Sequence, residues 1–515
     1  MHTLKIMKYN FQNKKQSLVV LMLFVTLFAM GQSKTLAGLT SFKLKNSGVM
    51  MDKNDNVDGY YFFHEVDKLK KGQREFAITI LDKNLNEVAK KSYVDHKKTI
   101  LLDVHFNNQA LMFTLLNKKE KVYKLLTMSR EGDIIDTQTV PYKSKMHKYM
   151  SMAEASGVHK HLTPADDKGF ILANFVDNKK TGYSVHYYAT DGGKNWVYKS
   201  DPKDKYHLMF NIIDANDEMI IGQEVARRGL FSSKGNISII GLDINTGEEL
   251  WKIEYLKDKE PRYAKNAFLN SDNQAVLLGE YFPKKKNWYS AKSEGLYMQT
   301  VDENGNTISD KKLSWTQQIR PQMPADAKFE KEKETVFFHD IVRSNDGYIY
   351  AIGEKFKMNL NALGIIAGGS STKLVITDAM IFKFSPDFEL KDVIVHKKGK
   401  SRAASPVDGG SAQQNALFLK AYGAFDHNFT QIEPDKDRFI ATFTDYERIK
   451  GEKNKYAFTA ISVEDGEVSK DKIYMEDAKK GIKYRILPAE AGRVAIMEYN
   501  KKEKTLEVRL EQLNI

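Results

Sequence analysis

The chain has 515 residues, of which 42% are apolar and 11% aromatic, with a formal charge of +12 and no cysteine. That length holds about two to four domains or one large repeat architecture, and with only 11 prolines no stretch reads as a long disordered linker. The missing cysteine excludes disulfides, thiolate metal sites, a cysteine nucleophile and a lipid-modified cysteine anchor; the charge, spread over so long a chain, gives no reason to expect nucleic acid.

In chain order, Lys5, Lys8, Lys14 and Lys15 come first, then the apolar run SLVVLMLFVTLFAM (Ser17–Met30) and the small-x-small exit Ala29-Met30-Gly31. A basic flank, a short apolar core and a small-residue exit read as a secretory signal peptide over residues 1–31. The run falls short of the ~20 residues that span a bilayer. Residues 32–515 are therefore expected to be exported, periplasmic or secreted, with no membrane-crossing segment left after cleavage.

A pattern then recurs eight times. Its most apolar strand reads GYYFFHEV (from Gly59), QALMFTLL (Gln109), GFILANFV (Gly169), EMIIGQEV (Glu218), QAVLLGEYF (Gln274), GYIYAIGEKF (Gly347), RFIATFTDY (Arg438) and RVAIMEYN (Arg493). Each is followed by a second strand, and seven of the eight continue through a tight polar turn into a third, as in TVDENGNTISDKKLSW. A further short strand precedes most copies. β-Branched and aromatic residues between Asp, Asn and Gly turns mark four antiparallel strands per copy, about 60 residues each. The expected fold is all-β: a single β-propeller of eight four-stranded blades, with seven blades or two separate β-sandwiches as the alternatives.

In the first copy, NDNVDGYYFFHE nearly fits a calcium loop, with Asn54, Asn56, Asp58 and Glu65 at ligand positions. Asn54 stands where Asp is expected, and Tyr60 to His64 read as strand, so a plain turn is the competing reading and no cofactor is expected. Before the third copy, His159 and His161 have the spacing of two ligands on one strand face, yet no third ligand is near and no metal is expected.

Within the third copy, YATDGGKNWVYKS joins two strands. It resembles the Asp-box (BNR repeat) of sialidase-like propellers, Ser-x-Asp-x-Gly-x-Thr-Trp: Asp191, Gly193 and Trp196 fall in register, with Ala189 for Ser and Asn195 for Thr. In the fourth copy, GLDINTGEELWKIEY, with Trp251, resembles the quinoprotein blade motif, in which a Thr-Gly and a Trp dock neighbouring blades. Both resemblances imply a propeller and a structural role for these residues. They imply no chemistry: the Arg-Ile-Pro motif of sialidases and the vicinal cysteines of quinone-dependent dehydrogenases are absent. No G-x-S-x-G, Walker loop, H-E-x-x-H or dinucleotide fingerprint occurs either.

Loop length is uneven. Connections between the second and third strands, and from the fourth strand to the next copy, share one face of a propeller, and the long insertions fall there: 226–235, 284–294, 320–334, 357–375 and 399–426. They hold nearly the whole positive excess of the chain beyond the leader. Long loops on a compact scaffold commonly carry function. Arg227, Arg228, Lys284, Lys285, Lys286, Trp288, Tyr289 and Arg402 are the candidate ligand-binding residues, with the aromatics expected to add surface beside the charge. The leading reading is a non-catalytic module binding an anionic glycan or envelope protein. The alternatives are a glycan-active hydrolase or lyase with paired carboxylates at the channel mouth, and a structural scaffold of an envelope complex. The pattern leaves oligomeric state open.

The eighth copy ends at LEVRLEQLNI without an outer strand, while LTSFKLKNS (Leu39 to Ser47) is a strand-like surplus at the other end. Leu39–Ser47 is expected to pair with Leu506–Leu513 and close the ring, because an open ring exposes strand edges.

Overall fold

The computed structural model describes residues 33–141, 160, 162–165, 167–175, 182–190, 193–202, 206–228, 235–255, 260–270, 272–325, 327–329, 334–360, 371–405, 410–447, 455–475, 481–490 and 492–515. The leader lies outside them, as do His159, His161 and Asp191.

Eight antiparallel sheets follow one another along the chain. The innermost strand of each touches the innermost strands of its neighbours, from the first blade round to the eighth and back to the first. The second strands are mostly apolar and buried on both faces because neighbouring blades cover both: Ala110–Asn117 and Ala275–Tyr281 are buried along their whole length. Outer strands such as Ile134–Pro141 are largely exposed. The core is accordingly a ring of clusters between blades, for example Tyr60, Phe62, Met497 and Val508 between the first and eighth.

Local chemistry sets the short turns. In Asp302–Asn306 the Asp302 carboxylate accepts from the backbone N–H groups of Asn304 (2.9 Å) and Asn306 (2.7 Å), and Gly305 supplies the positive φ of 82°. Blades dock through tryptophans. Trp196 donates its indole N–H to the Ile244 carbonyl at 2.8 Å and packs so closely on Gly247 of the next blade that a Cβ there would lie 2.3 Å from the ring. Trp251 lies over Gly305 of the fifth blade in the same way.

The ring closes with an N-terminal strand, but a different one from the segment expected. Ser33–Leu36 pairs with the last strand, Ser33 opposite Arg509 and Leu36 opposite Leu506. Residues 39–47 instead carry the chain inward. Leu39 and Phe42 enter the core between the eighth and first blades, Ser41 bridges Glu65, Leu44–Asn46 forms one tight turn and Ser47 begins the first blade's inner strand. The reason is geometric. The outer strand of one blade and the inner strand of the next are separated by about three strand spacings, roughly 14 Å, and a segment spent on that crossing cannot also pair. Among the described residues no helix is long and apolar enough to cross a membrane.

Candidate functional site

The strand order puts the connections between second and third strands and between blades on one face, and the other turns on the opposite face. Of the expected insertion 357–375, the described ends are strand, Ile349–Leu360 and Thr372–Phe384, because the second and third strands of the sixth blade pair out to Leu360 and Thr372. On the loop-rich face Lys284, Lys285 and Lys286 are exposed, as are Arg228 and Arg402. Among the described residues none of Lys284, Lys285, Lys286 and Arg402 makes an ion pair. Arg402 stands apart from the lysines on a short extra strand, Ser401–Ala404, added to the sixth blade.

The aromatic half of the expectation needs correcting. Trp288 and Tyr289 are buried: Trp288 stacks on Tyr263 with centroids 4.8 Å apart, and the Arg227 guanidinium covers Tyr289 at 3.8 Å. Their large apolar faces are worth more inside the inter-blade core than at a rim, so they anchor the lysine loop instead of lining a surface. Among the described residues the exposed aromatics toward this face are tyrosines that the sequence reading overlooked: Tyr422, Tyr456 and Tyr474, at 62%, 54% and 53% exposure.

The calcium-loop residues go to separate partners. Asn54 and Asn56 donate backbone N–H groups to Asp52, Asp58 pairs with Arg130 at 2.7 Å, and Glu65 pairs with Arg74 at 3.0 Å. Among the described residues no three His, Asp or Glu are arranged to hold a metal ion.

The insertion of the sixth blade carries a helix, Ala412–Ala421, started by a Ser411–Gln414 capping box. Ser411 Oγ also donates to the Tyr289 carbonyl at 3.0 Å, tying the helix to the anchored lysine loop. Ala416 and Leu419 pack on Phe337, Phe356 and Leu374. Lys420 then reaches the innermost strand of the sixth blade, its Nζ donating to His339 Nδ1 at 3.1 Å.

His339 belongs to a device repeated in three blades. Their innermost strands each carry one extra residue, a β-bulge, opposite a glycine of the second strand. The extra residues are Ile213, Lys265 and His339; the glycines are Gly222, Gly279 and Gly353. A Cβ at Gly279 would lie 2.1 Å from the Tyr263 carbonyl oxygen, so the strands can approach this closely only with glycine. The next residue is Gln223, Glu280 or Glu354. In the fifth and sixth blades it meets the bulge: Lys265 pairs with Glu280 at 3.7 Å and His339 with Glu354 at 3.0 Å; in the fourth, Gln223 Oε1 accepts from the Ala264 N–H of the fifth blade at 3.1 Å. The repeated I-G-Q, L-G-E and I-G-E of the second strands were a readable signal.

Glu354 is the hub. Its Oε2 accepts from His339 Nε2, from the Asp426 N–H (3.0 Å) and from the His427 N–H (2.9 Å), and its Oε1 faces Lys398 at 3.0 Å. Lys398 also pairs with Asp426, which accepts from Ser401 Oγ at 2.9 Å. His339 and His427 stack with centroids 4.6 Å apart. His427 Nε2 lies 3.4 Å from Asp340. The charges are thus largely matched inside the protein, and the arrangement latches the sixth-blade insertion onto the sixth and seventh blades. Burial opposes a charge on Lys398, but Glu354 and Asp426 outweigh it and hold its pKa above the ordinary value. Burial lowers that of Lys420.

Burial, and then His339, push His427 from 6.5 down to about 3; burial, and then Lys420, push His339 well down. Both are neutral when folded and take up protons on unfolding below 6.5. Their contribution to stability is therefore complete above that pH and is lost as pH falls from 6.5 toward 3. We expect the urea midpoint of the parent to fall through this window and that of His427→Gln to fall less steeply; parallel curves for the two proteins would contradict the assignment.

Inside this wall the central channel widens to a cavity of about 320 Å³, bounded by innermost strands of the fourth to seventh blades, by Lys160 and by Asp55 at the short-turn end.

The profile of a family described as "Family of unknown function (DUF6770)" matches residues 12–514. No curated protein matches the chain. Among solved structures it is similar to the WD40 domain of SCAP from fission yeast, 8% identical over 93% of this chain and 98% of that one, with a TM-score of 0.38. Prolyl oligopeptidase B from Galerina marginata is 8% identical over 92% of this chain and 55% of that one, TM-score 0.41. An ulvan lyase of polysaccharide lyase family PL25 is 9% identical over 93% and 96%, TM-score 0.36. None of these likenesses assigns a chemistry to this chain.

Proposed function

The chain belongs to this family of unknown function, DUF6770, and from that premise we propose that it is an exported, non-catalytic binding propeller whose loop-rich face takes an acidic polysaccharide. The observation that carries the reading is the exposed run Lys284–Lys286, without ion-pair partners among the described residues and held on a loop anchored by Trp288 and Tyr289. Preorganised cations lose little freedom when an anionic chain docks. Arg228, Arg402 and the tyrosines Tyr422, Tyr456 and Tyr474 extend the same face with charge and flat apolar area. A catalytic reading at the channel mouth is less well supported: the side chains of Glu354 and Lys398 are fully buried and paired with one another at 3.0 Å.

The test is a titration of the mature chain with polygalacturonate, neutral dextran and an acidic protein at low and high salt. Polygalacturonate is expected to bind, more weakly as salt rises. Changing Lys284, Lys285 and Lys286 to Ser should weaken it about tenfold, since each exposed pair contributes about 0.5 kcal/mol, with the melting temperature nearly unchanged. An unchanged isotherm, or no polygalacturonate binding at any salt, would sink the proposal; preference for the acidic protein would redirect it.

A further inference from the structure

Independently of the loop-rich face, we infer that the channel cavity is a binding site for a small zwitterion with an apolar body, such as a free α-amino acid or a dipeptide. Groups of both signs line the 320 Å³ cavity. Lys160 and Lys265 are the positive groups, and Asp55, Asp214 and Asp340 the negative ones. Lys265 is the one with unused donors in the wall: its side chain is 6% exposed, its Nζ has no hydrogen-bond partner, and the Glu280 carboxylate stands at 3.7 Å, beyond hydrogen-bonding distance. The rings of Phe337 and Tyr263 lie 4.7 and 4.9 Å from it. A buried ammonium with unused donors is costly, and a ligand carboxylate would satisfy it.

Asp340 is the negative counterpart. It follows His339 on the same strand, lines the same cavity, and its side chain keeps 41% exposure although its neighbours enclose it. The accessible surface is therefore turned to the channel, where an ammonium could meet it. Burial opposes a charge on this carboxyl, but Lys420 and the Thr430 hydroxyl, with His427 beside them, outweigh it and hold its pKa below the ordinary value. Ile212, Ile213, Phe338 and Ile341 supply an apolar wall for the body of the ligand. A ligand carrying both charges can reach the unused Lys265 donors and the exposed Asp340 carboxylate together; an amine or an acid alone can reach one.

Access runs from the short-turn face. Asp55 lines this cavity and also a cleft of about 450 Å³ between the turns of the sixth and seventh blades. The helix Ala412–Ala421 is docked on the opposite face. A small ligand therefore has a route that does not cross the basic surface, and the two bindings can be tested apart.

The experiment is isothermal titration of the mature chain with L-leucine, L-phenylalanine and glycyl-L-leucine at millimolar concentration, with isoamylamine, 4-methylvalerate and glucose as single-charge and neutral controls. At least one zwitterion is expected to bind and the controls not to. Lys265→Met and Asp340→Asn should each weaken binding at least about tenfold, while polygalacturonate binding stays unchanged. Asp340→Asn is isosteric and faces the channel, so it decides the matter if Lys265→Met does not fold. Binding of glucose but no zwitterion, no binding of any probe, or an Asp340→Asn protein that binds like the parent would overturn the inference.

Discussion

Replacing Glu354 with Ala should destabilise the protein by about 3–5 kcal/mol, the range for breaking a buried ion pair from one side. The carboxylate is fully buried. Its loss removes the acceptor of two backbone N–H groups, Asp426 and His427, the partner of His339 and one of the two counter-charges of Lys398. Because that hub ties the sixth-blade insertion to the ring, the helix Ala412–Ala421 should also loosen. The expected readouts are a lower urea midpoint and faster proteolysis within residues 399–426. Glu354→Gln keeps an acceptor oxygen and should lose less. Glu280→Ala, at the equivalent place in the fifth blade, removes only the pairing with Lys265 and should fall between the parent and Glu354→Ala. A midpoint unchanged in Glu354→Ala would show that the cluster carries no part of the stability.

Deleting the closing strand should have the second large effect. Without Gln32–Leu36 the eighth blade loses its outer strand and four register pairs with residues 506–509. It also loses Leu36, which is buried with Leu506 and Val508 in the cluster between the eighth and first blades. Burial of one such side chain contributes roughly 1.5–3 kcal/mol, and the ladder hydrogen bonds add to it, so several kcal/mol should be lost. The exposed edge of Thr505–Gln512 should in addition recruit strands from other molecules. Melting and light scattering read both effects. Moving the segment Ser33–Leu36 behind Ile515 on a flexible linker long enough to bring Ser33 back opposite Arg509 should restore much of the loss, since the register pairs can then re-form. A deletion variant that melts like the parent and stays monodisperse would show that closure depends on contacts elsewhere.

The blades and their number were legible because they rest on local signals. Second strands buried on both faces are mostly apolar, as in ALMFTLLN and AVLLGEY, and a turn such as Asp302–Asn306 is built from its own side chains and glycine. What the sequence could not settle depends on residues far apart in the chain. Trp288 looks like surface beside three lysines until Tyr263 is found stacked on it. Leu39–Ser47 has the pattern of a strand until the crossing from the outer edge of one blade to the inner edge of the next claims it. Glu354 is one acid among many until the fold brings it to the backbone of residues 426 and 427 and to Lys398. Periodicity and turn chemistry act within a few residues and can be read directly. The pairing of buried charges and the covering of aromatic rings are decided by which blades become neighbours, and only the closed ring determines that.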